Sequence, residues 1–200
     1  MIHSTIPKYL PYLKAFFQVF ISDTDDCPMT IKRWTRLVIT FATQCYPNDL
    51  DAQNKFKGDM LEILAEYWFS VFGPQPSIGL LNYKPAAATG DFGVDGTGIN
   101  VLGHQSVVQV KFRSNPLEIL TYADLAKTYA DGIDNHDLKP KTKGTVWLFT
   151  NAGPSSDGDA ASSQAHQFFG EVLHVIDRQA LVTCLDGNKV FWQGFSEQFN

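Results

Sequence analysis

Apolar residues recur at helical spacing over 8–21 and again over 30–45, where Thr30, just after Pro28, has the short oxygen-bearing side chain of an N-cap. The pattern predicts an N-terminal pair of helices. Asn48 and Asp49 offer caps for a longer helix over 50–72, closed by Gly73 and Pro74. Its second half, 60–72, is apolar almost all round, which predicts burial on every side. Over 75–105 the chain changes to short runs punctuated by Gly and Pro, suited to strands and turns. Ser106-Val-Val-Gln-Val-Lys-Phe112 alternates as a strand does. Thr145-Val-Trp-Leu-Phe-Thr150, apolar on both faces, reads as the central strand of a sheet. Between them Asn115-Pro116 opens a helix to about Gly132, followed by a polar loop over 134–143. A loop over 151–159, a helix over 160–169, a strand over 172–176, a short helix or strand to Leu185 and a turn at Asp186-Gly187-Asn188 complete the reading. The succession predicts an α/β fold, a mixed central sheet flanked by helices, with residues 1–48 as a helical extension of the domain over 49–200.

Alternation along 107–112 puts Val108, Val110 and Phe112 on one face and Gln109 with Lys111 on the other. Such a pair also occurs on an edge strand with one wet face, so the neighbouring segments decide its meaning. Residues 93–101 suit an antiparallel partner strand. A hairpin tip centred on Gly103 sets Asp95 opposite Lys111, with a slip of two residues as the alternative register, and directly paired residues have Cβ atoms about 4.5–5.5 Å apart. A carboxylate, an amide and an ammonium then share one patch. The glycines at 90, 93, 96 and 98 around Asp91 and Asp95 fit either a surface hairpin or a close approach by a ligand or DNA backbone. A calcium loop over 91–102 is disfavoured, because Gly93 and Leu102 stand where oxygen ligands are needed.

On the long helix Asp59, Glu62 and Glu66 fall at i, i+3 and i+7, forming one acidic stripe on an apolar segment. It is either the helix's wet edge or a set of carboxylates that meet a cation, since charge is costly to bury alone. Together these parts suit phosphodiester hydrolysis. Asp95 would be the central ligand of Mg²⁺, and Gln109 would add a neutral carbonyl oxygen. Lys111 would orient or help deprotonate the attacking water and offset charge in the transition state.

Composition narrows the setting. A 44% hydrophobic and 18% charged chain is that of a folded globular protein, which excludes extensive disorder. Net charge of −5 excludes a broad basic surface, leaving nucleic-acid contact to local patches. Candidates are Lys32, Arg33 and Arg36; Lys55 and Lys57; Lys111 and Arg113; and Lys139, Lys141 and Lys143, each of which is otherwise a solvated face. Cys27, Cys45 and Cys184 lack disulfide or zinc spacing. Residues 9–21 are too short and interrupted to span a bilayer, and no cleavage site follows, so a cytoplasmic protein without a membrane partner is expected.

Gly58-Asp-Met-Leu-Glu62, Gly90-Asp-Phe-Gly-Val-Asp95-Gly and Val108-Gln-Val-Lys111 occur in that order. Together they resemble the Mrr-like branch of the PD-(D/E)xK nuclease superfamily, which carries a helix with G-x-x-x-E, a D-x-G-x-D turn and Q-x-K in place of (D/E)-x-K. Phe149-Thr-Asn151, the helix after it and Val175-Ile-Asp177 look like the family's later elements, so the likeness spans about 55–185. Residues 1–50 have no counterpart in it. The resemblance implies a restriction-endonuclease-like fold and a Mg²⁺- or Mn²⁺-dependent endodeoxyribonuclease, whether restriction-like, junction-resolving or of a mobile element or virus. Glu62, Asp95, Gln109 and Lys111 would be catalytic, the first three holding metal. Asp91 matches the turn's first aspartate as a secondary candidate, and Glu66 is the alternative to Glu62. Arg113, Lys57, Lys141 and Lys143 would contact DNA, and cutting both strands would need a homodimer or a partner subunit. The alternatives are a non-catalytic nucleic-acid- or protein-binding module on the same fold and a calcium-binding structural protein.

Overall fold

In the computed structural model the described residues are 6–21, 29–71, 79–86, 93–118, 122–139, 144–153 and 173–199. Helices α1 (Ile6–Ile21) and α2 (Ile31–Cys45) precede α3 (Leu50–Val71). Both expected caps form: Thr30 accepts from the Arg33 N–H at 3.2 Å, and Asp49 accepts from the Ala52 N–H at 2.9 Å. The second half of α3 is buried as its composition predicts, with Leu61, Ile63, Leu64 and Ala65 fully covered.

Strands β1 (Leu80–Pro85), β2 (Gly96–Asn100), β3 (Gln105–Lys111), β4 (Thr145–Thr150) and β5 (Leu173–Ile176) form a five-stranded mixed sheet in the order β1-β2-β3-β4-β5. The first three are antiparallel; β3, β4 and β5 run parallel. Helix α4 (Tyr122–Asn135) carries the chain from β3 to β4, and α5 (Arg178–Leu185) and α6 (Lys189–Glu197) close the described fold. Asp177 caps α5 and Asn188 caps α6, so the turn expected at 186–188 joins two helices, with Gly187 at φ 72°.

One face of the sheet contributes Val108, Val110, Trp147 and Phe149 to a large core shared with α1, α2, α3, α5 and α6. The opposite face contributes Val107, Val146 and Leu148 to a smaller core with Leu138 and Tyr129. β4 is therefore covered on both sides, the central position its sequence predicts. The two N-terminal helices lie within the larger core: Tyr9 and Tyr12 pack edge-on against Phe56 of α3, and Phe17 stacks on Phe199.

Two expectations are corrected. The Asn115-Pro116 segment does not begin the helix. Asn115 accepts from the Leu117 N–H through its side chain and from the Glu118 N–H through its carbonyl, a local turn that competes with helix, and α4 runs over Tyr122–Asn135 instead. The hairpin register is the alternative one. Asn100 and His104 close a three-residue loop, with the Asn100 side chain accepting from the N–H groups of Leu102 and His104 and Gly103 at φ 80°. That turn pairs Gly96 with Val108, so continuing the register puts Asp95 across from Gln109, two residues short of Lys111. The helix expected over 160–169 lies outside the described residues. No described helix is long and apolar enough to cross a membrane.

Candidate active site

The C-terminal end of β3 is held from β4. Thr150 donates to the Lys111 carbonyl at 2.7 Å, and Asn151 brackets Arg113, accepting from its N–H at 2.7 Å and donating to its carbonyl at 2.8 Å. With both backbone groups of Arg113 fixed, the side chains from Gln109 to Arg113 leave the sheet in a set direction. Asn151 was singled out by sequence only as part of a later strand; its work here is to anchor this end of β3.

Asp95 reaches the same place by leaving the β2–β3 ladder. Its N–H donates to the Val108 carbonyl at 2.8 Å, one position off the register set by Gly96 and Val108. The Val110 N–H, which the ladder continued past Gly96 would pair with the carbonyl of Val94, is met by the Asp95 carboxylate at 2.6 Å. One carboxylate oxygen is thus committed to the backbone between Gln109 and Lys111. Gln109 is 2% exposed, and its carbonyl Oε1 finds no donor among the described residues.

The acidic stripe of α3 divides by role. Asp59 turns toward α1, accepting from the Tyr9 hydroxyl at 2.5 Å and pairing with Lys55 at 3.1 Å. Burial and the adjacent Asp59 carboxylate push the Tyr9 phenol far above its ordinary range, so it stays a donor. Glu62 faces the sheet end, whereas Glu66, one turn on, is buried at 6% exposure.

These elements enclose a cleft of about 650 Å³ whose walls include Glu62, Asp95, Gln109 and Lys111. Lys57, Arg113 and Glu118 also line it. All four predicted catalytic side chains therefore share one cavity, and of the α3 carboxylates Glu62 rather than Glu66 lies on its wall. Lys57, its ammonium pKa lowered by burial, donates to Ser114 at 3.2 Å, and Arg113 pairs with Glu118 at 3.0 Å. Of the other basic candidates, Lys55 is engaged with Asp59 and Lys139 with Asp137. Asp91, Lys141 and Lys143 lie outside the described residues.

Tyr83 of β1 was not anticipated. Its ring stacks on Phe69 at 5.0 Å and lies over Gly96, where a Cβ would collide with the ring and hydroxyl. Burial, and then the carboxylates of Asp95, Glu66 and Glu62, raise its pKa well above the usual phenol value.

Of the three carboxylates on the walls Glu118 is paired with Arg113, and the other two, Glu62 and Asp95, suit a hard cation together with the buried Gln109 oxygen that meets no donor among the described residues; no sulfur or imidazole lines the cleft. Among the described residues no group of three His, Cys, Asp or Glu side chains could hold a metal ion, so the amide oxygen would have to be a ligand. No protein-family model and no curated protein matches the chain.

Proposed function

We propose that the chain is a metal-dependent endodeoxyribonuclease of the PD-(D/E)xK type, in its Mrr-like Q-x-K form and on a restriction-endonuclease-like fold. The observation that carries this reading is the meeting of Glu62, Asp95, Gln109 and Lys111, distant in sequence, on the wall of one cleft. Asp95, Gln109 Oε1 and Glu62 would hold Mg²⁺ or Mn²⁺. When bound there, such a cation polarises a phosphate oxygen and makes water easier to deprotonate.

The chain's own groups divide the remaining work. The Lys111 ammonium orients the water that attacks phosphorus and offsets the negative charge that grows on the phosphate oxygens as the P–O bond to the leaving group breaks. Asp95, pinned by the Val110 N–H through one carboxylate oxygen, is held on the wall of the cleft, which limits the reorganisation needed during reaction. Lys57 and Arg113 hold phosphates beside the scissile one. They form a local basic wall on a protein of net charge −5. One site cuts one strand, so a double-strand break needs a second copy or a partner subunit.

Nicking of supercoiled, linear and branched DNA with Mg²⁺ or Mn²⁺, compared with EDTA, tests the reading. Asp95→Ala and Lys111→Ala should each lose roughly 10²- to 10³-fold in rate. Equal rates in wild type and both variants would overturn the site. The low charge of the ligand set, Glu62, Asp95 and a neutral amide, favours a second reading, a non-catalytic nucleic-acid-binding module, and DNA binding by a wild type that cleaves none of these substrates would select it.

A further inference from the structure

The walls of the cleft come from α3, from β3 with the turn after it, and from the segment containing Gly93 and Asp95 that leads into β2. Helix α4 supplies none of the described wall residues, yet it holds that segment. Thr128, in the second turn of α4 and fully buried, donates its hydroxyl to the Gly93 carbonyl at 2.6 Å. Gly93 sits at φ 96° with α4 close behind it: a Cβ there would come within 3.3 Å of the Lys127 Cγ and of the Thr128 backbone nitrogen. The positive φ and the narrow gap both call for glycine.

Glycine leaves the peptide that follows it free to turn, so the orientation of that peptide has to come from a bond. Turned away from Thr128, the buried Gly93 carbonyl would lose its donor, which costs free energy. Val94 then joins Val107 and Leu148 in the smaller core. Asp95 comes next, its N–H on the Val108 carbonyl and its own carbonyl accepting from the Ala86 N–H at 2.9 Å. From Gly93 to Asp95 the chain is tied in turn to α4, to the core, and to β3 and the end of β1. The tie to α4 is made by a side chain, so it can be removed alone.

Resting on the nuclease reading, we propose that Thr128 is a positioning residue for the divalent-cation site: from α4, outside the cleft, its hydroxyl sets the peptide that leads into Asp95 and so the place from which the Asp95 carboxylate meets the cation. Removing an outer hydrogen bond behind a metal ligand costs about 10- to 100-fold in metal affinity. Thr128 acts through the backbone rather than on the carboxylate itself, which puts its effect at the lower end of that range.

Direct titration with Mn²⁺, read by the loss of the free-ion electron paramagnetic resonance signal, tests this without relying on cleavage. Thr128→Val keeps the branched shape without the donor and should weaken Mn²⁺ binding about 10-fold. Thr128→Ser keeps the donor and should bind as wild type does. Ser106→Ala removes another fully buried hydroxyl, paired with Thr145 at the far end of β3, and should also leave affinity unchanged. Cleavage by Thr128→Val should recover when Mn²⁺ is raised in proportion. Equal affinity in wild type and Thr128→Val, or equal weakening in Thr128→Ser, overturns the proposal and leaves the nuclease reading standing if Asp95→Ala abolishes binding. Should Thr128→Val fail to fold, Gly93→Ala strains the same contact from the other side, and wild-type affinity there overturns the proposal. A wild type that takes up no Mn²⁺ overturns both.

Discussion

From Ser106 to Lys111, β3 pairs with β4 in unbroken parallel register, and β4 is buried from Val146 to Thr150. Between β1 and β2 the register breaks at Asn82, glycines stand at 96 and 98, and Asp95 leaves the ladder to β3. The two halves of the sheet do different work. The regular half fixes direction: Gln109 and Lys111 point where β3 points, and β3 is held along its length by β4 and at its end by Thr150 and Asn151. The irregular half brings groups that a regular ladder would leave elsewhere, the Asp95 carboxylate at the Val110 N–H and the Tyr83 phenol over Gly96. Departures from the ladder lower the stability of a sheet; the one at Asp95 brings a carboxylate to the cleft, and the one at Asn82 turns an aromatic ring onto Phe69 and Gly96.

The difference predicts that the regular half is costly to alter in stability. Phe149 is fully buried between Trp68 and Phe69, so Phe149→Ala should lose about 3–5 kcal/mol, measured as a lower urea midpoint. A loss under about 1 kcal/mol would mean that β4 is not the rigid reference for β3.

Gln109 separates stability from chemistry within the same regular half. Its buried Oε1 lacks a donor among the described residues, an arrangement that costs free energy in the absence of a cation. Gln109→Leu should therefore unfold at the same or a slightly higher urea concentration while cleavage falls roughly 100-fold. A variant that is both less stable and fully active would show that the amide serves packing.

How much of this was legible in the sequence follows the same division. Two-residue alternation and a doubly apolar run identified β3 and β4 without knowledge of any partner. Cap residues identified the starts of α2 and α3. Gln109, Lys111, Asp95 and Glu62 stood out through motif spacing, and helical periodicity alone left Glu62 and Glu66 open, since the choice depends on how α3 lies on the sheet. The hairpin register could not be read from Gly103, because it is set by the Asn100 side chain accepting two N–H groups across the turn. Tyr83 was invisible for a similar reason. Strand alternation assigns it to the face opposite Leu80, and only the single left-handed residue Asn82 reverses that. An Asn followed by an aromatic in a short apolar strand is the signal that could have found it.

Gly103 offers a smaller test, at the end of the hairpin away from the cleft. It lies at φ 80° with open space where a Cβ would sit, so Gly103→Ala meets only the backbone cost of about 1–2 kcal/mol. Thermal unfolding should register that loss with Mn²⁺ affinity unchanged. Altered affinity would mean that the turn sets the position of Asp95 more strongly than the Val110 contact does.

The smallest expected effect sits on Asn82. Its side chain is exposed, and its contribution is the backbone angle of 52° that accommodates the extra residue in β1. Glycine adopts that angle freely, at the cost of more freedom in the unfolded chain, and the two effects nearly offset. Asn82→Gly should change stability by less than about 0.5 kcal/mol and leave Mn²⁺ binding as in wild type. Asn82→Val is the informative partner, because a β-branched residue resists positive φ. Relief of that strain by a one-residue slip would restore regular alternation and turn Tyr83 to the outer face, away from Phe69 and Gly96, so Asn82→Val should lose about 1–2 kcal/mol in urea unfolding. Asn82→Val and Asn82→Gly of equal stability would leave the orientation of Tyr83 to Phe69 and Gly96 alone.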